Sequence, residues 1–237
     1  MAFDLVRDTG VGTWQPSNIK RPARVAKQRN ERQPVGGRLK RVFDVSASVF
    51  LIISLFPLLL GLIIMLRLTD RGPLFYGHER IGHNGRKFQC LKFRSMAVNG
   101  DAILAAYLRD NPDQRKIWEE ERKLDDDPRV TPMGAILRKL SLDELPQIIN
   151  VLRGDMSLVG PRPVTLGELD KYSSSRSHYL MTRPGITGLW QISGRSDTSF
   201  QQRVCMDRLY VSNWTMLTDL KILIMTLPAV ILAKGAR

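Results

Sequence analysis

Asp143 and Glu144 stand side by side within Arg138-Lys139-Leu140-Ser141-Leu142-Asp143-Glu144-Leu145-Pro146-Gln147-Ile148-Ile149-Asn150. Ser141 followed three residues later by Glu144 has capping-box spacing. Pro146 falls in a first turn, where a missing N–H costs little. The pattern predicts a helix from Ser141 through Ile148, Ile149, Val151 and Leu152 to Gly154. Its N-terminal turn would carry both carboxylates, with Arg138 and Lys139 just ahead. Free N–H groups and the positive end of the helix dipole favour anions there. Two such carboxylates could hold Mg2+ against a phosphate, or one could attack it. Acids in a first turn also serve as plain caps, so the pair alone leaves the choice open.

Two further segments suit phosphate. In Gly160-Pro161-Arg162-Pro163 an arginine is fixed between prolines, a stiff setting for bidentate binding. Arg183-Pro184-Gly185-Ile186-Thr187-Gly188-Leu189-Trp190-Gln191-Ile192-Ser193-Gly194-Arg195 adds Gly-rich turns and more guanidinium. Each segment taken singly could be a structural turn. Together, in a basic chain, they favour a phosphorylated substrate.

These residues need elements to position them, and the plainest element is apolar. Val45–Leu66 runs for 22 residues without a charge. As a helix it spans about 33 Å, enough to cross a hydrocarbon core of about 30 Å. Both flanks are basic: Arg38, Lys40 and Arg41 before it, and Arg67, Arg71, Arg80, Arg86, Lys87, Lys92 and Arg94 after it. Lys/Arg-rich flanks prefer the cytoplasm. A re-entrant hairpin keeps both flanks on that side, whereas a spanning helix sends one across. Pro57, near the middle, removes a backbone hydrogen bond and clashes with the carbonyl of Ile53, so a kink is expected there. Ser54 is placed to help satisfy the freed groups.

Beyond it, Leu74, Tyr76, Phe88, Leu91 and Phe93 mark two β-prone runs around Asn84-Gly85, a strong hairpin signal. Helices are expected at 101–109 and 113–123, with Pro112 opening the second. Trp214–Ala233 is apolar around much of its circumference, suiting either the core or a membrane interface.

The net charge of +13 over 237 residues implies an anionic partner. Residues 1–41 hold ten Lys/Arg and three acids, about half of the excess. With Pro16, Pro22, Pro34, Gly36 and Gly37, residues 1–37 read as a basic, disordered tail. No apolar run there ends in a cleavage site, so the tail is not a secretory signal. Cys90 and Cys205 are far apart, and His78, His83 and His178 lack ligand spacing. A zinc site or disulfide framework is therefore not expected, which fits a reduced, cytoplasmic compartment.

Taken in order, these motifs resemble the monotopic phosphoglycosyl transferases, the bacterial sugar transferase family. The resemblance runs from Gly37 to Ala236. It rests on Lys40-Arg41-x-x-Asp44, the apolar segment with Pro57, Gly72-Pro73, Arg80-Ile81-Gly82, Lys92-Phe93-Arg94-Ser95-Met96, Asp127-Pro128-Arg129-Val130-Thr131, Ser141 to Gln147, Gly160 to Pro163 and Arg183 to Gly188. Within the family, the chain is similar to undecaprenyl-phosphate galactose phosphotransferases of exopolysaccharide synthesis. The resemblance implies an α+β, mostly helical fold with a re-entrant membrane helix hairpin, interfacial amphipathic helices and a small β-hairpin. Residues 38–237 would form the transferase domain behind the 1–37 tail, on the cytoplasmic face of a bacterial inner membrane.

It also implies roles. Asp143 would be the nucleophile on a UDP-sugar, releasing UMP and passing the sugar phosphate to undecaprenyl phosphate. Glu144 would bind Mg2+. Arg138 and Arg162 would hold phosphates, and Lys92 and Arg94 would line the site. Pro161, Pro163 and Arg195 would border the nucleotide-sugar region, and Pro57 would be the membrane hinge. Arg41, Asp44 and Asp219 match further family positions. Galactose is the expected sugar, glucose the next. Membrane lipid is an expected partner, nucleic acid is not, and a homodimer is left open. Many members carry Ser before the hinge proline; this chain has Phe56, so the bond that steadies the bend is missing unless Ser54 substitutes.

Two other readings stand beside this one. Asp125-Asp126-Asp127 superficially resembles the DxD metal site of glycosyltransferases that release UDP. A non-enzymatic basic protein binding anionic lipid or nucleic acid would suit the charged tail, although no reader motif is evident.

Overall fold

The structure, a computed structural model, describes residues 33–69, 72–121, 124, 126–193 and 198–231. Residues 1–32 of the basic tail, Asp125 and Arg195 lie outside them.

The apolar run forms helix α1, Gly37–Thr69, 33 residues with Pro57 inside. By length and composition α1 can cross a membrane. Its backbone stays helical through Pro57, and Ser54, Phe56 and Pro57 are all exposed. Both ends nevertheless rest on the same globular body. Phe43, Ala47 and Leu51 pack on a core of Phe88, Cys90, Val151, Met156, Leu158, Val159, Tyr210 and Ile222. Leu62 and Leu66 join Phe93 and Leu137 in another. Between these footings Phe50, Ile53, Phe56, Leu58 and Leu60 are exposed, an apolar stretch that water alone would not favour.

The hairpin forms as expected: β1 (Phe75–Ile81) pairs antiparallel with β2 (Lys87–Phe93), from Phe75 opposite Phe93 to Ile81 opposite Lys87. The connection holds a 3-10 turn with Asn84 and Gly85 at positive φ, 56° and 78°, the conformation that this dipeptide supplies. Helices α2 (Gly100–Asp110) and α3 (Pro112–Glu121) match the two charged segments.

Next comes α4, Pro132–Lys139, a helix not anticipated from the sequence. Its signal was present: Thr131 caps Gly134 N at 3.0 Å, and Pro132 opens the first turn. The helix expected from Ser141 to Gly154 is corrected to two pieces, a 3-10 turn at Leu142–Glu144 and α5, Gln147–Arg153. Ser141 lies at φ 55° and makes no capping bond, so the capping box does not form.

Short elements complete the chain: β3 (Ser157–Val159), α6 (Leu166–Asp170), α7 (Arg176–Leu180), β4 (Gly185–Thr187), α8 (Leu189–Ile192), α9 (Phe200–Ser212) and α10 (Met216–Ile231). β3 and β4 pair in parallel, Ser157 with Gly185 and Val159 with Thr187. α10 answers the core-or-interface question both ways. Asp219 and Ile222 are buried, while Leu217, Leu220 and Ile224 are exposed.

Candidate functional site

Asp143 sits on a turn pinned from both sides. Left-handed Ser141 is an uncommon conformation for a non-glycine residue. It turns the chain so that Leu142 and Leu145 pack on the cluster of Leu62, Leu66, Phe93 and Leu137. The two leucines therefore fasten Asp143 and Glu144 beside the second half of α1. Asp143 is buried, 8% exposed.

Lys92 on β2 reaches this turn. Its Nζ donates to Glu144 Oε1 at 2.7 Å and lies 3.6 Å from Asp143 Oδ2. The register between strand and turn is set by Asn150, which is fully buried. Asn150 Oδ1 accepts from Leu91 N at 2.9 Å, and its Nδ2 donates to Gln89 O at 2.8 Å. The amide thus acts as a strand partner for β2 on both sides of Cys90. Arg138, in the last turn of α4, donates from Nε to Ser95 Oγ at 2.9 Å. The helix approaches closely because Gly134 has no side chain: a Cβ there would stand 1.9 Å from Ser95 O.

The electrostatics separate the two carboxyls. Burial pushes Asp143 above the usual carboxylate range; Glu144 adds to the shift, while Lys92 and Arg138 oppose it. At Glu144 burial also works upward, but Lys92, Arg162 and the Gln147 side chain outweigh it, and the net direction is down. Two adjacent acids sharing one ammonium behave this way. Glu144 keeps its charge, and Asp143 is the less willing anion.

Arg162 approaches from another part of the chain. The β3–β4 pair holds its loop: Gly160 N donates to Thr187 O at 2.9 Å and Gly185 N to Pro161 O at 2.8 Å. Beyond the loop, Val164 O accepts from Ile81 N at 2.9 Å. Tyr179 locks the same junction, its OH donating to Ile81 O at 2.7 Å and accepting from Val164 N at 3.2 Å. Lys92, Glu144, Arg162 and Pro163 line one narrow cleft with Arg80, Gln147 and Gln191.

The remaining candidates divide. Arg94 borders a separate apolar groove of about 390 Å³ formed by Leu66, Thr69, Pro73, Leu74, Met133 and Ile136. Arg41, Asp44 and Asp219 build an anchor beneath the start of α1. Asp219 accepts from Lys40 Nζ, Tyr210 OH (2.8 Å) and Trp214 Nε1 (3.0 Å). Asp44 Oδ1 accepts from Leu158 N at 3.1 Å. Arg41 donates to the carbonyls of Val151 and Leu152, the latter at 2.7 Å. These three residues hold the helix to the body and make no bond to Asp143 or Glu144. Asp127 is committed as well, in a 2.6 Å ion pair with Arg129, whose guanidinium lies 4.9 Å from the centre of the Trp118 ring. That pairing weakens the DxD reading.

Among the described residues no group of three or more His, Cys, Asp or Glu could enclose a metal. The donor set at Asp143 and Glu144 suits the other mode of Mg2+ binding, one or two carboxylates completed by substrate phosphates and water. Sequence reasoning gave no role to Asn150 or Ser95, whose partners become neighbours only after folding, nor to Gln147, whose side chain bonds Glu144 three residues back.

A family model described as bacterial sugar transferase matches residues 35–233. The exopolysaccharide production protein ExoY of Sinorhizobium fredii is 53% identical over 204 residues, covering 86% of this chain and 90% of the relative. The undecaprenyl-phosphate galactose phosphotransferase of Salmonella typhimurium is 48% identical over 199 residues, 84% of this chain and 41% of that longer protein. The UDP-glucose:undecaprenyl-phosphate glucose-1-phosphate transferase of Caulobacter vibrioides is 40% identical, covering 83% of this chain and 71% of the relative. With the carboxylate turn, the Arg162 loop and the long apolar helix all inside the matched span, this chain belongs to the bacterial sugar transferase family.

Proposed function

We propose that this protein transfers a sugar 1-phosphate from a UDP-sugar to undecaprenyl phosphate, starting an exopolysaccharide repeat. The reading rests on one arrangement above others: a buried aspartate, its charge shared with Glu144 and Lys92, fastened by leucines to an apolar helix. A carboxylate oxygen of Asp143 attacks the phosphorus that bears the sugar. The bond from that phosphorus to the bridging oxygen breaks, and its electron pair leaves with UMP. Asp143 then holds the sugar phosphate as an acyl phosphate. An oxygen of the acceptor phosphate attacks the same phosphorus, the Asp143 oxygen leaves as carboxylate, and a lipid-linked diphosphate sugar results.

Lys92, Arg138 and Arg162 supply the positive field that the transferred phosphoryl group needs. Glu144, kept anionic, would hold Mg2+ together with substrate oxygens; the ion would neutralise phosphate charge. The apolar groove beside Leu66, with Arg94 on its wall, suits the first isoprenoid units of the acceptor. Supporting a dipping helix, both ends of α1 rest on one body and both flanks are basic, which keeps them on one side of the bilayer. The printed names of the relatives favour galactose, then glucose. Some act from longer chains, so sugar choice is tested directly.

The experiment is turnover of UDP-galactose and UDP-glucose with undecaprenyl phosphate, measuring the leaving nucleotide and trapping the protein adduct. UMP and a phosphosugar adduct that disappears in Asp143→Asn are expected. Release of UDP, or a fully active Asp143→Asn protein, would sink the reading.

A further inference from the structure

Arg162 is exposed and, among the described residues, makes no ion pair, yet the proposed chemistry needs its guanidinium in one place. Its packing partner is an indole. The Arg162 Cζ lies 5.5 Å from the centre of the Trp190 ring. Arg203 lies over the same ring at 4.7 Å. Trp190 is 5% exposed, and among the described residues its buried N–H has no hydrogen-bond partner. An unsatisfied indole N–H costs about 1–3 kcal/mol. What the ring offers its two arginine neighbours is its face.

A face is also the right partner for this arginine. A carboxylate would orient Arg162 but cancel its charge and compete with an incoming phosphate. An aromatic face orients a guanidinium while leaving the charge and the forked N–H donors free. Arg203 is tethered in turn, its Nε donating to Thr198 O at 3.2 Å. One turn further along α9 stands Asp207, 4% exposed and bonded by Tyr172 OH at 2.8 Å. Burial pushes the Asp207 carboxyl up to about 7, against the Tyr172 hydroxyl and the charges of Arg162 and Arg203, which lower it.

We propose that Trp190 is a positioning residue of the donor-diphosphate site: its indole face sets the Arg162 guanidinium at the cleft, and Arg203, on the same ring, locks the indole. The proposal rests on Arg162 holding donor phosphate, as described above.

The test compares Trp190→Phe, Trp190→Leu and Arg203→Gln. The Leu variant raises the KM for UDP-sugar about tenfold, as loss of a partly desolvated cation–π contact implies. The Phe variant, which keeps a face, stays within about threefold of the unaltered protein. Arg203→Gln falls between them. The KM for undecaprenyl phosphate holds within about twofold in all three, a split that mere loss of folded protein would not produce. Donor KM unchanged in the Leu variant, or no rescue by Phe, overturns the assignment. A ligand-free measurement covers poor folding of the Leu variant. Trp190 emission, taken as the difference between unaltered protein and Trp190→Phe, changes on Arg162→Ala if the stack exists, and an unchanged difference overturns it. Failure of the underlying functional reading shows separately, as absence of UMP release by the unaltered protein.

Discussion

Two carboxylate clusters flank helix α1, and they are built on opposite plans. At its start, Asp219 is fully buried, with Lys40, Tyr210 and Trp214 donating to its two oxygens. Near its end, Asp143 and Glu144 divide a single ammonium, at 3.6 and 2.7 Å, and Lys92 remains about 30% exposed. The first plan fixes a charge so that it can do nothing but hold. The second leaves a charge only partly balanced, next to a cleft that Arg80, Lys92 and Arg162 line. Buried ion pairs with every lone pair satisfied are costly to break. A carboxylate whose pKa is raised by burial, with the opposing cation shared, is the kind found at reactive sites.

The sharpest way to break the comparison is to neutralise one member of each. Asp143→Asn is expected to lower turnover at least about 10³-fold. The same change should stabilise the protein. Burial raises the Asp143 pKa in the folded state, so its contribution favours folding at low pH and is lost as pH rises through the folded pKa. Asparagine escapes that loss, and a gain of about 1 kcal/mol would lift Tm by roughly 2–4 °C at neutral pH. Asp219→Asn should do the reverse. Stranding Lys40 costs about 3–5 kcal/mol, while the molecules that remain folded keep their turnover. Thermal unfolding and active-site titration with trapped adduct separate the two outcomes.

Lys92→Met comes next in size. Lys92 draws the Asp143 pKa down, so its loss moves that pKa further up. The acid limb of adduct formation then shifts to higher pH, and the rate at neutral pH falls about 10²-fold. An unshifted acid limb would mean that Lys92 only braces Glu144. Asn150→Leu is smaller for chemistry and larger for fold. It leaves Leu91 N and Gln89 O without their partner, costing about 2 kcal/mol, and loosens the strand that carries Lys92. Amide exchange at Leu91 would report it.

The sequence disclosed what depends on neighbours in the chain. Asn84-Gly85 makes its turn with local dihedrals, and the charged segments after Asn99 form helices for local reasons. Val45–Leu66 announces itself by length. Ser141 shows where this stops. Its spacing to Glu144 suggests a capping box, yet Leu142 and Leu145 are drawn to Leu62 and Leu66, and the backbone takes φ 55° instead. Asn150 was legible only as one polar residue in an apolar run, because its partners stand 59 and 61 positions away. The same limit hid the division of labour among the acids. Asp143, Asp44 and Asp219 all match family motifs, but only folding puts donors around Asp219 and a shared lysine beside Asp143.

The smallest effect concerns the piece that joins the two clusters. Arg41 belongs to the anchor, and it donates to Val151 O and Leu152 O near the end of α5. That helix begins three residues after Glu144. Leu142 and Leu145 already pack this turn on the second half of α1; Arg41 adds a route to it from the start of the helix, through α5. If the anchor only holds, Arg41→Met costs about 1–2 kcal/mol of stability, the worth of two hydrogen bonds to a charged donor with partial exposure, and leaves kcat within about twofold. α5 has a second set of restraints, since Asn150 ties it to β2 and the buried Ile148 and Val151 set it in the core. Those restraints should keep Asp143 in register without Arg41. A kcat that fell tenfold at full occupancy of the folded state would show instead that the start of α1 reaches the reacting carboxylate through α5, and the two clusters would have to be treated as one device.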